Sequence, residues 1–492
     1  MNKEIPNLYN GPISTQDNLN QYQSESVIAS KKQINTDNNQ INQEINQKST
    51  VKIYTSQQEA NKPKIEKSSI LGATFMITNI CLGTTIYTFA TRAKRFGLVW
   101  LLFFCVVVAV INYWSIMLGV YASSKCKEDD FSEMTEKLLG KRMRDLLNVI
   151  MILYSYASLM CFISLLYPLF GRFIQSAFYY NEYVDYDAFF NEMWGKAYIK
   201  YPFFTVLACI LSLICLIKDI NKLNFTAYIG VSANIYTLLV IIIQCRGYYE
   251  HYKNTVYKEE DKNTHPNWIN LGDAFKKDLI FFKGIANLIF AYACQSGVFP
   301  IYAGFKIQEN GLKKMKISAI LGMGLTTILH FISIICGFLT DPITPEDLII
   351  YRKNKGTGKD IPMALSRLFV SISLISTIPG YYFPLRLSVI NFFTEGKLNN
   401  LFNVLFTFLS YICCSIISAL YDKILNYLNY IGFISVFISF LFPALIYVYS
   451  TDKKINYWKN ILHIILAVIM CIIGLIAGVA TVIDDIKGDK GS

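Results

Sequence analysis

Long apolar runs without a single charged residue recur along this chain of 492 residues. Ile70 to Thr91, Ile424 to Thr451 and Ile461 to Ile483 contain no Asp, Glu, Lys or Arg. A helix needs about 20 apolar residues to cross a bilayer, so each of these runs is long enough to span one. The sequence therefore predicts an all-α polytopic membrane protein.

The apolar runs form two groups of five, with one run left over. The predicted spans are Ile70–Thr91, Leu98–Tyr121, Leu146–Phe173, Tyr201–Ile217, Phe225–Cys245, Leu279–Phe305, Ser318–Thr340, Pro362–Phe393, Leu401–Tyr421, Leu425–Tyr449 and Ile461–Ile483. Two inverted repeats of five helices with an added eleventh helix have this count. We assign repeat one to 70–245, repeat two to 279–450 and the extra helix to 461–483, all within a transporter domain over 68–484.

Two polar tails flank this domain. Residues 1–67 are rich in Asn, Gln, Ser and Lys, and such a segment buries too little apolar surface to offset its ordering entropy, so we predict a disordered tail. Residues 485–492 form a short C-terminal tail. Lys and Arg in the short loops favour a cytoplasmic N-terminus. That bias includes two groups of lysines: Lys62, Lys64 and Lys67, and Lys313, Lys314 and Lys316.

Polar and small residues interrupt the first and the sixth predicted span, which occupy matching places in the two repeats. The interrupting residues are Asn79, Gly83, Thr84 and Thr85 in one span, and Gln295, Ser296, Gly297 and Pro300 in the other. Paired interruptions of this kind are the best sequence pointer to the binding site of an inverted-repeat transporter. We therefore predict the substrate site where the two interrupted helices meet.

The first interruption is suited to binding a carboxylate. Gly83 lets the backbone leave helical geometry at low steric cost. The amides of Thr84 and Thr85, with the positive end of a half-helix, would then face an anionic group. The alternative is close helix packing, which small residues also promote in membranes.

The second interruption is suited to the rest of the substrate. Cys294, Gln295 and Ser296 are predicted to line the pocket, and carbonyl groups freed there would accept from the substrate ammonium. Phe290 is predicted to cover the substrate side chain. Its alternative role is ordinary packing in lipid or core, which is common for aromatic residues.

A candidate Na⁺ site lies on the eighth span. Ser373, Ser376 and Thr377 are spaced i, i+3 and i+4, so their hydroxyl groups share one helical face. Opposite Asn79 and the carbonyl of Leu82, they would form a cage of oxygen ligands, which hard cations prefer. The alternative is hydrogen bonding of these hydroxyls to the preceding turn.

Other function classes have little support in the sequence. The four histidines, 251, 265, 330 and 463, have no metal-ligand spacing, and no pair of carboxylates lies in a predicted span, so we do not expect an enzyme. The net charge of +11 fits basic loops near anionic headgroups, and we expect no nucleic-acid partner. Arg172, Lys283 and Arg367 lie near predicted span ends, where snorkelling to the interface is expected.

Four motifs, in order, resemble those of the amino acid/auxin permease family. They are N-I-C-L-G-T-T at 79–85, F-A-Y-A-C-Q-S-G-V-F-P-I-Y at 290–302, S-T-I-P-G-Y-Y-F-P-L-R at 376–386, and I-G at 431–432 with F-P-A at 442–444. Three places depart from the family pattern, which has a second glycine at Thr85, L-P-x-A where this chain has Y-T-F-A at 87–90, and a histidine at Gln295. This family includes sodium-coupled neutral, proton-coupled and vesicular amino acid transporters. The resemblance implies a LeuT-like fold and alternating access.

The predicted function is secondary active transport of amino acids, mainly neutral ones, driven by Na⁺ or H⁺. We expect a monomer in the lipid bilayer of the plasma membrane or of an endolysosomal or vacuolar membrane, with a small-molecule amino acid as substrate. No resident cofactor is expected, apart from Na⁺ as a coupling ion. The alternative function is that of a membrane amino acid sensor that signals through residues 1–67.

Overall fold

The structure of the protein is a computed structural model. It describes residues 67–83, 85–128, 130–180, 182–183, 185–216, 224–255, 266–272, 275, 280–341, 348–352, 359–393, 400–420, 424–451 and 457–488. The chain divides into two units, Met1–Lys64 and Ile65–Ser492, and all the described residues belong to the second. The predicted tail 1–67 therefore lies almost entirely outside the described residues.

The described elements are helical throughout. The main ones of the first half are α1 (Ile70–Leu82), a 3₁₀ turn (Thr85–Tyr87), α2 (Phe89–Phe96), α3 (Leu98–Cys126), α4 (Phe131–Leu139), α5 (Lys141–Ala177), α6 (Ala197–Cys215) and α7 (Asn224–Thr255). Those of the second half are α8 (Ile280–Ala291), α9 (Gln295–Lys306), α10 (Gly311–Thr340), α11 (Ile361–Phe393), α12 (Asn400–Leu420), α13 (Ile424–Val436), a π-helical turn (Phe437–Leu441), α14 (Phe442–Ser450) and α15 (Trp458–Gly488). Three short helical segments, Tyr186–Phe189, Phe190–Trp194 and Ile349–Tyr351, lie in the connections.

Ten helices within the described residues are long and apolar enough to cross a membrane. The first predicted span is not among these ten, because its apolar helix ends at Leu82. Its first part, α1, has 13 residues and rises about 20 Å, which is less than the hydrocarbon thickness. Together with α2, which has eight residues, it reaches the length of a full span. The helices therefore follow the predicted order, five, five and one.

Local sequence signals determine where the first helices begin and end. The Ser69 hydroxyl caps α1 by accepting from the Gly72 amide at 2.9 Å. Gly97 joins α2 to α3 at φ 77°, a conformation in which a side chain would be strained. A Cβ there would also lie 3.0 Å from the Ile269 backbone. This close approach lets the segment 266–272 bond to the start of α3, through the Leu98 and Val99 amides.

Helix α11 lies at the centre of the packing around the interrupted helices. It packs on α5 and α7, while α1 packs on α10 and α7. The hydroxyl-bearing face of α11 and the end of α1 are thereby brought together from positions about 300 residues apart in sequence.

Arg367 is more deeply placed than the sequence indicates. Its side chain is buried and donates to the carbonyls of Ile350 and Arg352, at 3.0 and 3.1 Å, and to the Ser176 hydroxyl. The expected snorkelling is therefore wrong for this residue. It joins α11 to the segment 348–352 and to α5 instead.

Candidate functional site

The first interruption is a change of backbone direction at Gly83. Helix α1 ends at Leu82, and Gly83 adopts φ 37° and ψ −135°, outside the helical region. The chain then continues through the 3₁₀ turn, where the Thr85 hydroxyl donates to the Leu82 carbonyl at 3.3 Å. Thr84 lies outside the described residues, so its predicted role stays a prediction. The glycine is thus required by the conformation itself.

The second interruption is narrower and lies earlier than the sequence indicates. Helix α8 ends at Ala291 and α9 begins at Gln295, so the unwound residues are Tyr292 to Cys294. Ser296 and Gly297 lie in the first turn of α9, where the Gly297 amide donates to the Cys294 carbonyl at 2.9 Å. The predicted break at Ser296-Gly297 is therefore displaced by about one helical turn.

Gln295 is held by two other helical segments. Its Nε2 donates to the Asn112 Oδ1 of α3 at 3.0 Å, and its Oε1 accepts from the Ser439 hydroxyl of the π-helical turn at 2.9 Å. Ser115 in turn donates to the Ser439 carbonyl. Because all four side chains are buried, this network anchors the start of α9. The side-chain amide of Gln295 is therefore bonded to α3 and to the π-helical turn.

The two interruptions touch each other. Cys81, near the end of α1, donates from its thiol to the Tyr292 carbonyl in the second interruption at 3.6 Å. The Cys81 thiol also reaches Cys294. A carbonyl freed by the second break is thus partly satisfied by the first interrupted helix, and Cys294 lies at their junction.

Phe290 belongs to an aromatic group beside this junction. Its ring centroid is 6.1 Å from that of Tyr154 and 6.4 Å from that of Tyr381. Phe162 packs on Tyr381 at 5.1 Å and lies where a side chain at Gly83 would point. The Tyr381 hydroxyl donates to the Ile80 carbonyl at 3.1 Å. An uncharged wall of four aromatic rings therefore faces the two breaks.

The predicted cation ligands Asn79, Ser376 and Thr377 come together. The Asn79 Oδ1 lies 3.4 Å from both the Ser376 Oγ and the Thr377 Oγ1, and the Asn79 carbonyl oxygen is also 3.4 Å from the Thr377 Oγ1. Both hydroxyls donate to the Ser373 carbonyl, at 2.7 and 2.9 Å. The predicted back-bonding is therefore present, and it occurs together with the predicted approach to Asn79.

The other two predicted cation ligands are used differently. The Ser373 hydroxyl accepts from the Asn234 Nδ2 of α7 at 2.7 Å. The Leu82 carbonyl accepts from Thr85, as described above. The Ser373 hydroxyl and the Leu82 carbonyl therefore bond elsewhere. The close oxygens, called the oxygen cluster below, are the Asn79 carbonyl and Oδ1, the Ser376 hydroxyl and the Thr377 hydroxyl.

Two small clefts adjoin these groups. The first, with about 290 Å³ of empty space, is lined by Met76, Asn79, Ile80, Thr226, Ala227, Ser376, Thr377, Pro379 and Gly380. The second, with about 300 Å³, is lined by Asp130, Phe131, Ser132, Met151, Ser296, Phe299, Pro300, Pro384, Leu387 and Ser388. Ser296 therefore opens toward the second cleft, on the side of α4.

Helix α7 contributes a wall that sequence reasoning missed. A Cβ on Gly230 would lie 2.2 Å from both the Asn79 Oδ1 and the Ser376 Oγ, so α7 packs directly on the oxygen cluster. Asn234, one turn later, is buried and bonds to Ser373. A signal existed: a small and a polar residue four apart in an apolar span mark a face that packs or binds.

Solved structures of transporters are similar to this one in fold. MhsT, solved in complex with L-phenylalanine, matches with a TM-score of 0.58 and 11% identity, over 85% of this chain and all of that chain. A manganese transporter of Eremococcus coleocola matches with a TM-score of 0.50 and 13% identity, over 84% of this chain and 86% of that one. The likeness to MhsT confirms the predicted LeuT-like fold.

Two curated relatives are similar in sequence. A putative sodium-coupled neutral amino acid transporter 8 of Xenopus tropicalis is 22% identical over 405 residues, or 78% of this chain and 86% of that protein. The human sodium-coupled neutral amino acid transporter 4 is 29% identical over 103 residues, or 21% of this chain. That match covers 18% of the human protein's length.

A family profile covers nearly all of the described helices. The profile of the family described as transmembrane amino acid transporter protein matches residues 66–486, which includes every helix described except the last two residues of α15. This range also contains all four motifs that resemble the amino acid/auxin permease family. The protein is an integral, multi-pass membrane protein and belongs to the transmembrane amino acid transporter family.

Proposed function

We propose that this protein is a secondary active transporter of neutral amino acids that works by alternating access and uses Na⁺ as its coupling ion. The observation that carries the proposal is the oxygen cluster around Asn79. It adjoins the first interruption of a LeuT-like fold, at the kind of position where transporters of inverted-repeat design bind coupling ions.

The hydrogen bonds within this cluster leave oxygen lone pairs available for a cation. Each of the Ser376 and Thr377 hydroxyls has one proton, and its shorter bond, at 2.7 and 2.9 Å, goes to the Ser373 carbonyl. Their contacts with the Asn79 Oδ1, at 3.4 Å, are at the long limit of a hydrogen bond, so a cation that these oxygens bind would displace only weak bonds.

The spacing is also that of shared cation ligands. Ca²⁺, which is close to Na⁺ in size, takes oxygen ligands at about 2.4 Å, and two such ligands at a right angle lie about 3.4 Å apart. The cluster distances of 3.4 Å match this value. Its hydroxyl, amide and carbonyl donors carry no formal charge, which suits a monovalent ion.

The two interruptions supply the two poles that an amino acid backbone needs. Helices α2 and α9 begin at the interruptions, and their N-termini carry partial positive charge for the substrate carboxylate. Helices α1 and α8 end there, with negative poles for the ammonium group. In this proposal Gly83, Thr84 and Thr85 contact the carboxylate, while the ammonium group lies near Cys294 and the end of α8. Ser296 stays a predicted pocket residue on the side of the second cleft. Gln295 acts by anchoring α9.

The aromatic wall supports a neutral substrate. Phe290, Tyr154, Phe162 and Tyr381 pack on one another beside the breaks, and none of them is a charged residue. A charged substrate side chain would lose its hydration there without a paired charge, which is costly. Apolar and small neutral side chains lose little on entering the same space.

Uptake into liposomes tests the proposal. The full-length protein would be reconstituted and offered labelled neutral amino acids under an imposed Na⁺ gradient, an imposed H⁺ gradient, or neither. We expect uptake that the Na⁺ gradient drives. Stimulation by the H⁺ gradient alone would replace Na⁺ by H⁺ as the coupling ion, and no gradient-dependent uptake would refute transport.

A matched pair of variants tests the ion site within that assay. Thr377 and Thr481 are both buried threonines that donate to the carbonyl of residue i−4 at 2.9 Å, but only Thr377 faces Asn79. We expect Thr377→Val to raise the half-maximal Na⁺ concentration by about tenfold or more, equivalent to the loss of one ligand worth about 1.4 kcal/mol. Thr481→Val should leave it unchanged.

The sensing alternative rests on residues 1–67, of which the structure describes only Lys67. Nothing among the described residues favours it. We expect a variant that lacks residues 1–66 to retain uptake in the same liposome assay. The cytoplasmic side of the N-terminus and the choice of cellular membrane stay predictions from the charge distribution.

A further inference from the structure

A chain of hydrogen bonds joins the first interruption to the candidate cation site through α7. The Tyr87 hydroxyl, at the end of the 3₁₀ turn, donates to the Asn234 Oδ1 at 2.6 Å. The Asn234 Nδ2 donates to the Ser373 Oγ at 2.7 Å. Ser373 accepts, through its carbonyl, the hydroxyl protons of Ser376 and Thr377.

The orientation of each group in this chain is determined. The Asn234 Nδ2 also donates to the Gly230 carbonyl at 3.1 Å, and a carbonyl can only accept. The nitrogen end of the amide therefore faces α11, and its oxygen end faces Tyr87. Tyr87 must consequently be the donor in its bond to Asn234.

Burial strengthens these hydrogen bonds, because no water competes for the polar groups. Tyr87, Asn234 and Ser373 are exposed by 0%, 1% and 1%, so water does not compete for their polar groups. If Tyr87 moves away, the Asn234 oxygen loses a buried partner, which is unfavourable unless the amide turns. Either response changes the hydrogen bond that the Ser373 hydroxyl receives.

Tyr87 is also part of the turn that the substrate carboxylate is proposed to contact. It follows Gly83 by four residues and belongs to the 3₁₀ turn whose Thr85 is a predicted carboxylate contact. A carboxylate that binds to this turn would therefore act on Tyr87 directly.

We propose that Tyr87 and Asn234 are positioning residues that transmit the state of the first interruption to the cation site, and so couple Na⁺ binding to substrate binding. This inference rests on the proposed function. Coupling is reciprocal: if Na⁺ tightens substrate binding by some factor, substrate must tighten Na⁺ binding by the same factor. A purely structural role for the two residues would lower stability without changing that factor.

The test measures ²²Na⁺ binding to the purified full-length protein, with and without a saturating mixture of L-alanine, L-serine, L-glutamine, L-leucine and L-phenylalanine. For the wild type we expect the mixture to tighten Na⁺ binding by about tenfold or more, within the usual range of coupling. For Tyr87→Phe and for Asn234→Ala we expect a factor below about three. The double variant should lose no more than either single one, because the two residues act as one unit.

Tyr382→Phe is the matched control. Its hydroxyl donates to the Thr407 hydroxyl at 2.8 Å, and it is as buried as Tyr87, but it has no bond to Asn234 or Ser373. It should keep the wild-type factor, and thermal unfolding of each variant checks that it is folded. A loss of coupling in this control equal to that in Tyr87→Phe would refute the inference.

The failures of the two proposals are distinguishable. If the amino acid mixture does not alter ²²Na⁺ binding to the wild type, Na⁺ coupling is refuted and the inference falls with it. If the wild type shows coupling and both Tyr87→Phe and Asn234→Ala keep it, the inference alone is refuted. A folded Asn234→Ala variant decides the matter should Tyr87→Phe not fold.

Discussion

The two interrupted helices are broken in different ways. In the first, the chain leaves helical geometry through the backbone of Gly83, at φ 37°, and then enters a 3₁₀ turn. In the second, three residues from Tyr292 to Cys294 separate α8 from α9 without any positive φ. Instead, side chains from other helices hold the break, with Cys81 on one side and the Gln295 network on the other.

The difference assigns distinct roles to the two breaks. A backbone that only glycine tolerates is intolerant of substitution at one position, because any side chain adds strain there. A break held by side-chain hydrogen bonds distributes its stability over several residues, so each single change has a smaller effect. We therefore expect function to depend most on Gly83 and the oxygen cluster beside it, and stability to depend more on the residues around Gln295.

The largest effect is expected at Gly83. The Gly83→Leu variant should abolish amino acid uptake in liposomes, because leucine rarely adopts this φ and its side chain would point at Phe162. Gly324→Leu is the control, since Gly324 lies in α10 and has nothing within 4 Å of its Cβ position. Uptake retained by a folded Gly83→Leu variant would mean that the first break is not part of the site.

The second effect compares Gly230 of α7, which packs on the first interrupted helix, with Gly297, which belongs to the second. A Cβ at Gly230 would meet the Asn79 and Ser376 oxygens at 2.2 Å, whereas one at Gly297 would meet the flexible end of Ile80 at 2.7 Å. Gly230→Ala should therefore remove Na⁺ stimulation of uptake. Gly297→Ala should keep it, because the Ile80 side chain can move aside. Equal Na⁺ responses of the two variants would contradict this ordering.

The third effect concerns the anchor of the second break. Gln295→Leu removes the partners of Asn112 and Ser439, two buried polar groups, and should lower the free energy of unfolding by about 2–4 kcal/mol. The control is Gln308→Leu, just beyond the C-terminal end of α9, where the side chain is half-buried and water can replace the lost bonds. Thermal unfolding in detergent measures both, and an equal fall in melting temperature would exclude an anchoring role.

The smallest effect concerns α4, on which the helix beyond the second break rests through the Phe131 and Phe299 rings, 4.6 Å apart. Asp130 caps α4 by accepting from the Ser132 amide at 2.7 Å, and it also accepts from Asn391 at 3.0 Å. Burial raises the pKa of this carboxyl, and these hydrogen bonds only partly offset the rise.

The raised pKa of Asp130 makes the stability of the protein depend on pH. Between the unfolded pKa of about 3.9 and the higher native pKa, the folded protein binds more protons than the unfolded chain. The contribution of Asp130 to stability is therefore greatest at low pH and is lost as the pH rises through the native pKa. Melting temperatures across pH 4–7, taken as the difference between wild type and Asp130→Asn, should show this slope. A difference that does not vary with pH would contradict it.

Much of the fold could be predicted because a membrane span can be recognised from its local amino-acid composition. A run of about 20 apolar residues must be helical in a bilayer, so ten described spans and the order of the helices follow from hydropathy. The position of the second break could not be predicted equally well. Ser296 and Gly297 look like helix breakers in sequence, but Gly297 serves close packing against Ile80.

The candidate site shows the same division. The spacing of Ser376 and Thr377 indicates a shared helical face, and their approach to Asn79 agrees with the sequence expectation. The bond between Asn234 and Ser373 crosses 139 residues of sequence, and nothing in either span specifies the partner. The same holds for Tyr87 and Asn234, which are 147 residues apart.

The membrane spans, the two interrupted helices and the family motifs are visible in the sequence, because they depend on residue type and local periodicity. Which polar groups meet depends on the packing of the helices. In the folded protein Ser373 bonds to Asn234, the Leu82 carbonyl bonds to Thr85, and Gln295 bonds to Asn112 of α3. The physical reason is that a buried polar group must find a partner, and packing of distant helices alone determines which partner is within reach.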